Sequence, residues 1–196
     1  RNGNEKKTDV MSALITVARS LSGRPKSKSK DKTMPIEVTQ PSDREVRVVR
    51  TFKAPCQLVW DAHTKPELVS KWMLGPPGWK MPICEMDVRP GGAYRWRWRS
   101  EADGKEFGFF GKFIEVDEPN KIVHEENFDP GDIGGPMSSE PAIITTLYEE
   151  HNGVTTLTLT MLFASKDIRD RAVSTGMTDG MEIGYARLDD MFKRAA

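Results

Sequence analysis

The residues best placed to do chemistry in this 196-residue chain are three aromatics set two apart, Tyr94, Trp96 and Trp98. They lie in the stretch Ala93–Ser100, AYRWRWRS, alternating strictly with Arg95, Arg97 and Arg99. A β-strand turns such a two-residue period into two opposite faces. One face is then wholly aromatic, too much apolar surface to leave in water. That face can be plain core or the wall of a cavity, and an apolar wall with a few polar groups is what a small-molecule site needs. Phe107, Phe109, Phe113, Met81, Phe128 and Met161 could belong to the same wall. The arginine face reads as a solvated surface paired with Glu and Asp of neighbouring strands; a patch for an acidic partner is the other reading.

Acid–base groups are few. The chain has three histidines. His124 falls on a strand and His63 near the end of a short helix, so each could shuttle a proton in a cavity or be a surface or satisfied histidine. His151 sits in a hairpin turn and reads as solvated. Three scattered histidines do not make a metal site. The sequence holds no Ser-His-Asp order with an elbow, no HExxH and no phosphate loop. Gly91-Gly92 lacks the strand-to-helix setting of a dinucleotide loop and reads as a turn. Asp87 and Arg89, two apart on one strand face, suit a structural ion pair or turn clamp better than an acid and a base. No catalytic residue, cofactor or metal is assigned from these patterns.

Composition narrows the partners. Residues 1–34 hold nine Lys/Arg and three Asp/Glu, so the remaining 162 residues carry a net charge of about −6. An acidic domain of this kind argues against nucleic acid as its main partner. No apolar run approaches the length of a membrane span. Cys56 and Cys84, with no CxxC motif, read as reduced thiols of a cytoplasmic protein. The expected division is a front extension over 1–34 and one domain over 35–196. In the extension, Asp9 could cap a short helix carrying Val10, Leu14, Val17 and Leu21, ahead of a lysine–serine linker over 22–32.

The elements that must position the aromatics follow in order. Glu45–Lys53 alternates as a strand with Val46, Val48 and Phe52 inward. Pro55 and Pro66 each suit the first turn of a short helix, over Gln57–His63 and Glu67–Met73, the second carrying Trp72. Strands are expected at Ile83–Val88, Ala93–Ser100, Glu106–Val116, Lys121–Phe128, Ala142–Glu150 and Val154–Phe163. Gly108 and Gly111 should mark a bulge or a close approach. A loop fills Asp129–Pro141. Ser165 then caps a long terminal helix whose stripe is Val173, Met177, Met181, Leu188 and Met191, with Asp179, Glu182, Arg187, Asp189 and Lys193 largely off it. Gly176, Gly180 and Gly184 recur every fourth residue and each costs a helix about 1 kcal/mol relative to alanine. Either a second backbone approaches there or room is left for a guest. The economical architecture is α+β: a curved antiparallel sheet wrapped around one long helix.

These motifs resemble a known family. Arg50-Thr-Phe-Lys-Ala-Pro55, Val59-Trp60-Asp-Ala-His-Thr-Lys-Pro-Glu67, Lys71-Trp72 and Asp87-Val-Arg89-Pro-Gly-Gly92 come first. Asp103-Gly104, Gly111-Lys-Phe113-Ile-Glu115, Thr155-Thr156-Leu157, Thr175-Gly-Met177, Gly180-Met181 and Arg187-Leu188 complete the set. In this order they resemble the SRPBCC (START-like, birch-pollen-allergen-like) superfamily. Within it the similarity is to the homologues of the activator of the 90-kDa heat-shock protein ATPase.

The resemblance implies a helix-grip fold of about six to seven strands, with a break in the terminal helix near Ser174–Gly176. It also implies a sheet–helix cavity for a hydrophobic or aromatic small molecule, lined by Trp72, Met81, Tyr94, Trp96, Trp98, Phe107, Phe109, Phe113, His124, Phe128, Met177, Met181 and Leu188. Cyclase, aromatase or hydrolase chemistry in that cavity, or a chaperone-ATPase-stimulating partner role, are the alternatives, in a monomer or a homodimer. Two departures stand out: His63 replaces an aromatic usual in the family, and residues 1–34 are too short for the separate chaperone-binding domain of the namesake.

Overall fold

A computed structural model of the chain describes residues 35–135 and 140–195. Eight strands form one sheet: β1 (Glu37–Thr39), β2 (Glu45–Phe52), β3 (Trp79–Met86), β4 (Ala93–Ser100), β5 (Glu106–Asp117), β6 (Lys121–Asp129), β7 (Ala142–His151) and β8 (Val154–Leu162). Their order is β1-β2-β8-β7-β6-β5-β4-β3, every neighbouring pair antiparallel. The count exceeds the expected six to seven by the short edge strand β1, whose three residues pair with Arg47–Val49 and carry no period of their own. β3 also starts earlier than expected, at Trp79, because the pairing with β4 slips between Lys80 and Ile83. Pro82 lies in that gap, where it has no N–H to give the ladder.

Two short helices follow β2. Helix α1 (Cys56–Thr64) begins after Pro55, and the Glu150 carboxylate accepts from the Cys56 N–H at 2.7 Å, doing the work of a cap. Helix α2 (Pro66–Trp72) opens on its proline, whose missing N–H costs nothing there. The expected terminal helix is two: α3 (Lys166–Ser174) and α4 (Met177–Ala195). The Ser165 side chain caps α3 by accepting from Ile168 N at 3.3 Å. The break expected near Ser174–Gly176 is present, with Gly176 at φ +76°, a left-handed conformation that glycine adopts without steric cost.

The core lies between the sheet and α4. Val46, Val48 and Phe52 face it as the alternation requires, and all three are fully buried. On α4 the fully covered positions are Tyr185, Leu188 and Phe192, while Met177, Met181 and Met191 of the expected stripe are half-buried. The polar flank is not simply solvated. Arg50, fully buried on β2, pairs with Asp189 and lies 3.8 Å from Glu182. Glu182 also accepts from Ile36 N at 2.6 Å, and Arg187 donates to the Gly75 carbonyl at 2.7 Å. The helix and linker expected over residues 1–34 lie outside the described residues.

Candidate functional site

Strand β4 presents its aromatics inward as its alternation requires. Tyr94 and Trp98 are buried and Trp96 is half-buried, whereas Arg95 and Arg99 are exposed. On the outer face Arg97 bonds Glu106 at 2.8 Å and Asp129 at 2.7 Å, as expected for a paired surface ladder. Asp87 and Arg89 form an exposed ion pair at 2.8 Å.

The inner wall continues across β5. Its register slips between Phe113 and Glu115, not at the two glycines, so Phe107, Phe109 and Phe113 share the inner face with the β4 aromatics. The glycines are close approaches instead. A Cβ on Gly111 would stand 1.8 Å from the Glu125 carbonyl and 3.0 Å from the Tyr94 ring. That ring lies over the bare glycine, and its hydroxyl donates to the same Glu125 carbonyl at 3.0 Å. Burial, then the Glu126 and Glu125 carboxylates, push the Tyr94 phenol far above its ordinary pKa.

The candidate residues divide into two groups. Met81 and Trp98 pack with Val69, Phe107 and Phe109 beneath α2, and the Trp98 indole donates to the Met73 carbonyl at 2.7 Å. Trp72, Tyr94, Phe113 and Leu188 are buried in the main core, where the Trp72 indole donates to the Ala62 carbonyl at 2.9 Å. These are satisfied, filled positions. Trp96 touches both groups and is itself only half-buried, as are Phe109, Phe128, Met177 and Met181.

Among the described residues, polar atoms on this wall lack partners. Trp96 Nε1 and both ring nitrogens of His124 are buried without a hydrogen bond. The His124 ring lies 5.2 Å from Tyr94, 5.9 Å from Phe113 and 6.2 Å from Trp96, centroid to centroid. Its Nε2 is 3.9 Å from Glu126 Oε2, too far for a hydrogen bond. An unpaired buried polar group costs about 1–3 kcal/mol, so this end of the core is polar at a price in stability.

Along the two terminal helices, the three glycines serve three purposes. Gly176 makes the break. Gly184 rests on Trp72, a Cβ there lying 3.4 Å from its ring. At Gly180, one turn earlier on the same side of α4, an added Cβ would meet nothing within 4 Å. Two concavities elsewhere, of about 630 and 460 Å³, are lined by no residue of α4.

A model of the family described as activator of Hsp90 ATPase homolog 1-like protein (AHSA1) matches residues 53–193. The chain belongs to this family. A comparison with curated protein sequences finds no match. Among solved structures, one from Rhodobacter sphaeroides aligns at TM-score 0.72 and 25% identity, over 82% of this chain and 99% of the other. One from Mycobacterium smegmatis aligns at 0.70 and 22%, over 80% and 96%. The AHSA1-like protein from Aeromonas hydrophila aligns at 0.56 and 15%, over 74% and 93%. The helix-grip expectation and the antiparallel sheet with a long C-terminal helix both hold.

Within this AHSA1-like domain, His63 has the surroundings of an aromatic residue. It is enclosed by the rings of Trp72, Tyr148, Tyr185 and Phe52, at centroid distances of 5.0 to 6.3 Å. Its Nδ1–H donates to the Val59 carbonyl at 2.7 Å, Nε2 has no partner, and burial pulls its pKa down to about 4. Sequence reasoning missed Arg50, Glu126 and Tyr185. Alternation from Val46 and from His124 puts the first two inward, and that signal was available; Tyr185 at three before Leu188 was equally legible.

Proposed function

We propose that the domain binds a hydrophobic or aromatic small molecule between its inner sheet face and α4, without catalysing a reaction. The observation that carries this is an incompletely buried aromatic wall, Trp96–Phe109–Phe128, in a domain whose α4 has open space beside Gly180. Met177 and Met181 flank that glycine, and methionine side chains reshape readily around a guest. The unpartnered Trp96 and His124 nitrogens supply the few polar groups such a site uses to orient a ligand. Two reduced thiols, one buried, suit the cytoplasm as the place of action.

A neutral fluorescent probe tests the reading. Nile red should brighten and shift to the blue with the wild-type protein and with Gly180→Ala. Gly180→Trp and Met181→Trp, each folded by circular dichroism, should lose the effect. Equal Nile red signals in wild type and both tryptophan variants would defeat the proposal.

A further inference from the structure

β6 turns Ile122, His124, Glu126 and Phe128 onto the inner face, so a carboxylate stands in the aromatic wall. Its side chain is 23% exposed, and the sole basic group within 4.0 Å among the described residues is His124, at 3.9 Å. The other acidic side chains drawn inward, Glu182 and Asp189, are balanced by Arg50. Glu126 has no such counter-charge among the described residues. A half-desolvated carboxylate without a cation is costly, and its neighbours along the wall are rings: Phe128 on the same strand face, Phe109 with its centroid 5.4 Å from that of Phe128, and Tyr94, whose phenol feels the Glu126 charge.

A carboxylate set among aromatic faces is the combination that receives an ammonium group: a charge-assisted hydrogen bond to the oxygens, and ring faces that attract the remaining positive charge. His124 adds a second, independent indication. It is 8% exposed, both its nitrogens lack partners, and it lies on the same strand face beside Glu126. A nitrogen lone pair there can accept a second N–H from the same ammonium.

We infer that the ligand of this domain is an apolar or aromatic amine, its ammonium held by Glu126 and His124 and its hydrocarbon body against Trp96, Phe109 and Phe128. The inference rests on the binding reading above and deepens it. It sets the sign of the ligand's charge: carboxylates and phosphates are repelled by Glu126, and neutral molecules of the same shape leave it unmatched.

Three probes of one shape separate these outcomes by isothermal titration calorimetry near pH 7.5: 2-naphthylmethylamine, 2-naphthylmethanol and 2-naphthoate. The wild-type protein should prefer the amine over the alcohol by about tenfold, a step equivalent to roughly 1.4 kcal/mol, and bind the naphthoate most weakly. Glu126→Gln should abolish the preference while still binding the alcohol. Glu125→Gln, one residue away on the outer face, should keep it. If the wild type binds amine and alcohol equally, or if Glu126→Gln retains the preference, the amine assignment is wrong while the cavity reading stands. If no naphthyl probe binds, the cavity reading falls and the amine assignment with it.

Discussion

His63 is half-buried among rings with its Nε2 shielded from water, and its protonation is governed by that burial. The folded protein holds it near a pKa of about 4, against 6.5 in the unfolded chain. Above pH 6.5 both states leave it neutral, so it contributes no pH dependence. As pH falls from about 6.5 towards 4 only the unfolded state takes up the proton, and stability should drop by up to about 3 kcal/mol before levelling off below pH 4. His63→Phe should remove this slope, because a phenyl ring suits the surrounding rings and leaves no orphan Nε2. Urea unfolding of both proteins between pH 4 and 7.5 reads the difference; parallel stability curves would refute it. At this scale the sequence was a partial guide. His63 and His124 could be named from residue type, but whether each faced solvent or rings depended on neighbours from α2, β7 and α4 for the one and β4 and β5 for the other.

For the elements, the terminal glycines offer the sharpest expectation, since one spacing covers three different environments. Gly180→Ala puts a methyl into empty space on a helix and should stabilise the fold by about 0.5–1 kcal/mol. Gly176→Ala forces a Cβ onto a backbone at φ +76° and should cost about 1 kcal/mol or more. Chemical denaturation of the two variants should therefore give shifts of opposite sign; shifts of one sign would contradict the environments described. The elements themselves were largely readable. The alternation of β4 set its range to the residue, and Pro55 and Pro66 marked both short helices to within a residue or so. β1 was not readable, because three residues are too few for a period, and the slip at Pro82 hid the start of β3.

Arg50 joins the pieces of the whole molecule. It stands on β2, pairs with Asp189 and lies beside Glu182 on α4, and Glu182 in turn holds the backbone leading into β1. Removing the cation alone strands the Asp189 carboxylate, whose side chain is 11% exposed. Arg50→Ala should cost about 3–5 kcal/mol, while Arg50→Met combined with Asp189→Leu should recover most of that loss, since an apolar pair can replace a buried ion pair at little cost. A double-mutant cycle by urea denaturation measures the coupling. Additive losses would show that the pair does not act as a unit.

By itself the sequence determined the fold class, the inward faces of β2 and β4 and the family, because these follow from periods, prolines and motif order within the chain; the break before α4 was expected only through the family resemblance. The tertiary structure decided which inward residues are filled core and which remain half-covered. It sent Trp98 and Met81 under α2, left Trp96, Phe109 and Phe128 half-buried, and left Glu126 with no Lys or Arg within 4.0 Å among the described residues. Periodicity assigns a side chain to a face, but burial and charge balance depend on what a distant segment brings against that face. Here that segment is α4, which follows β4 in the chain by more than seventy residues.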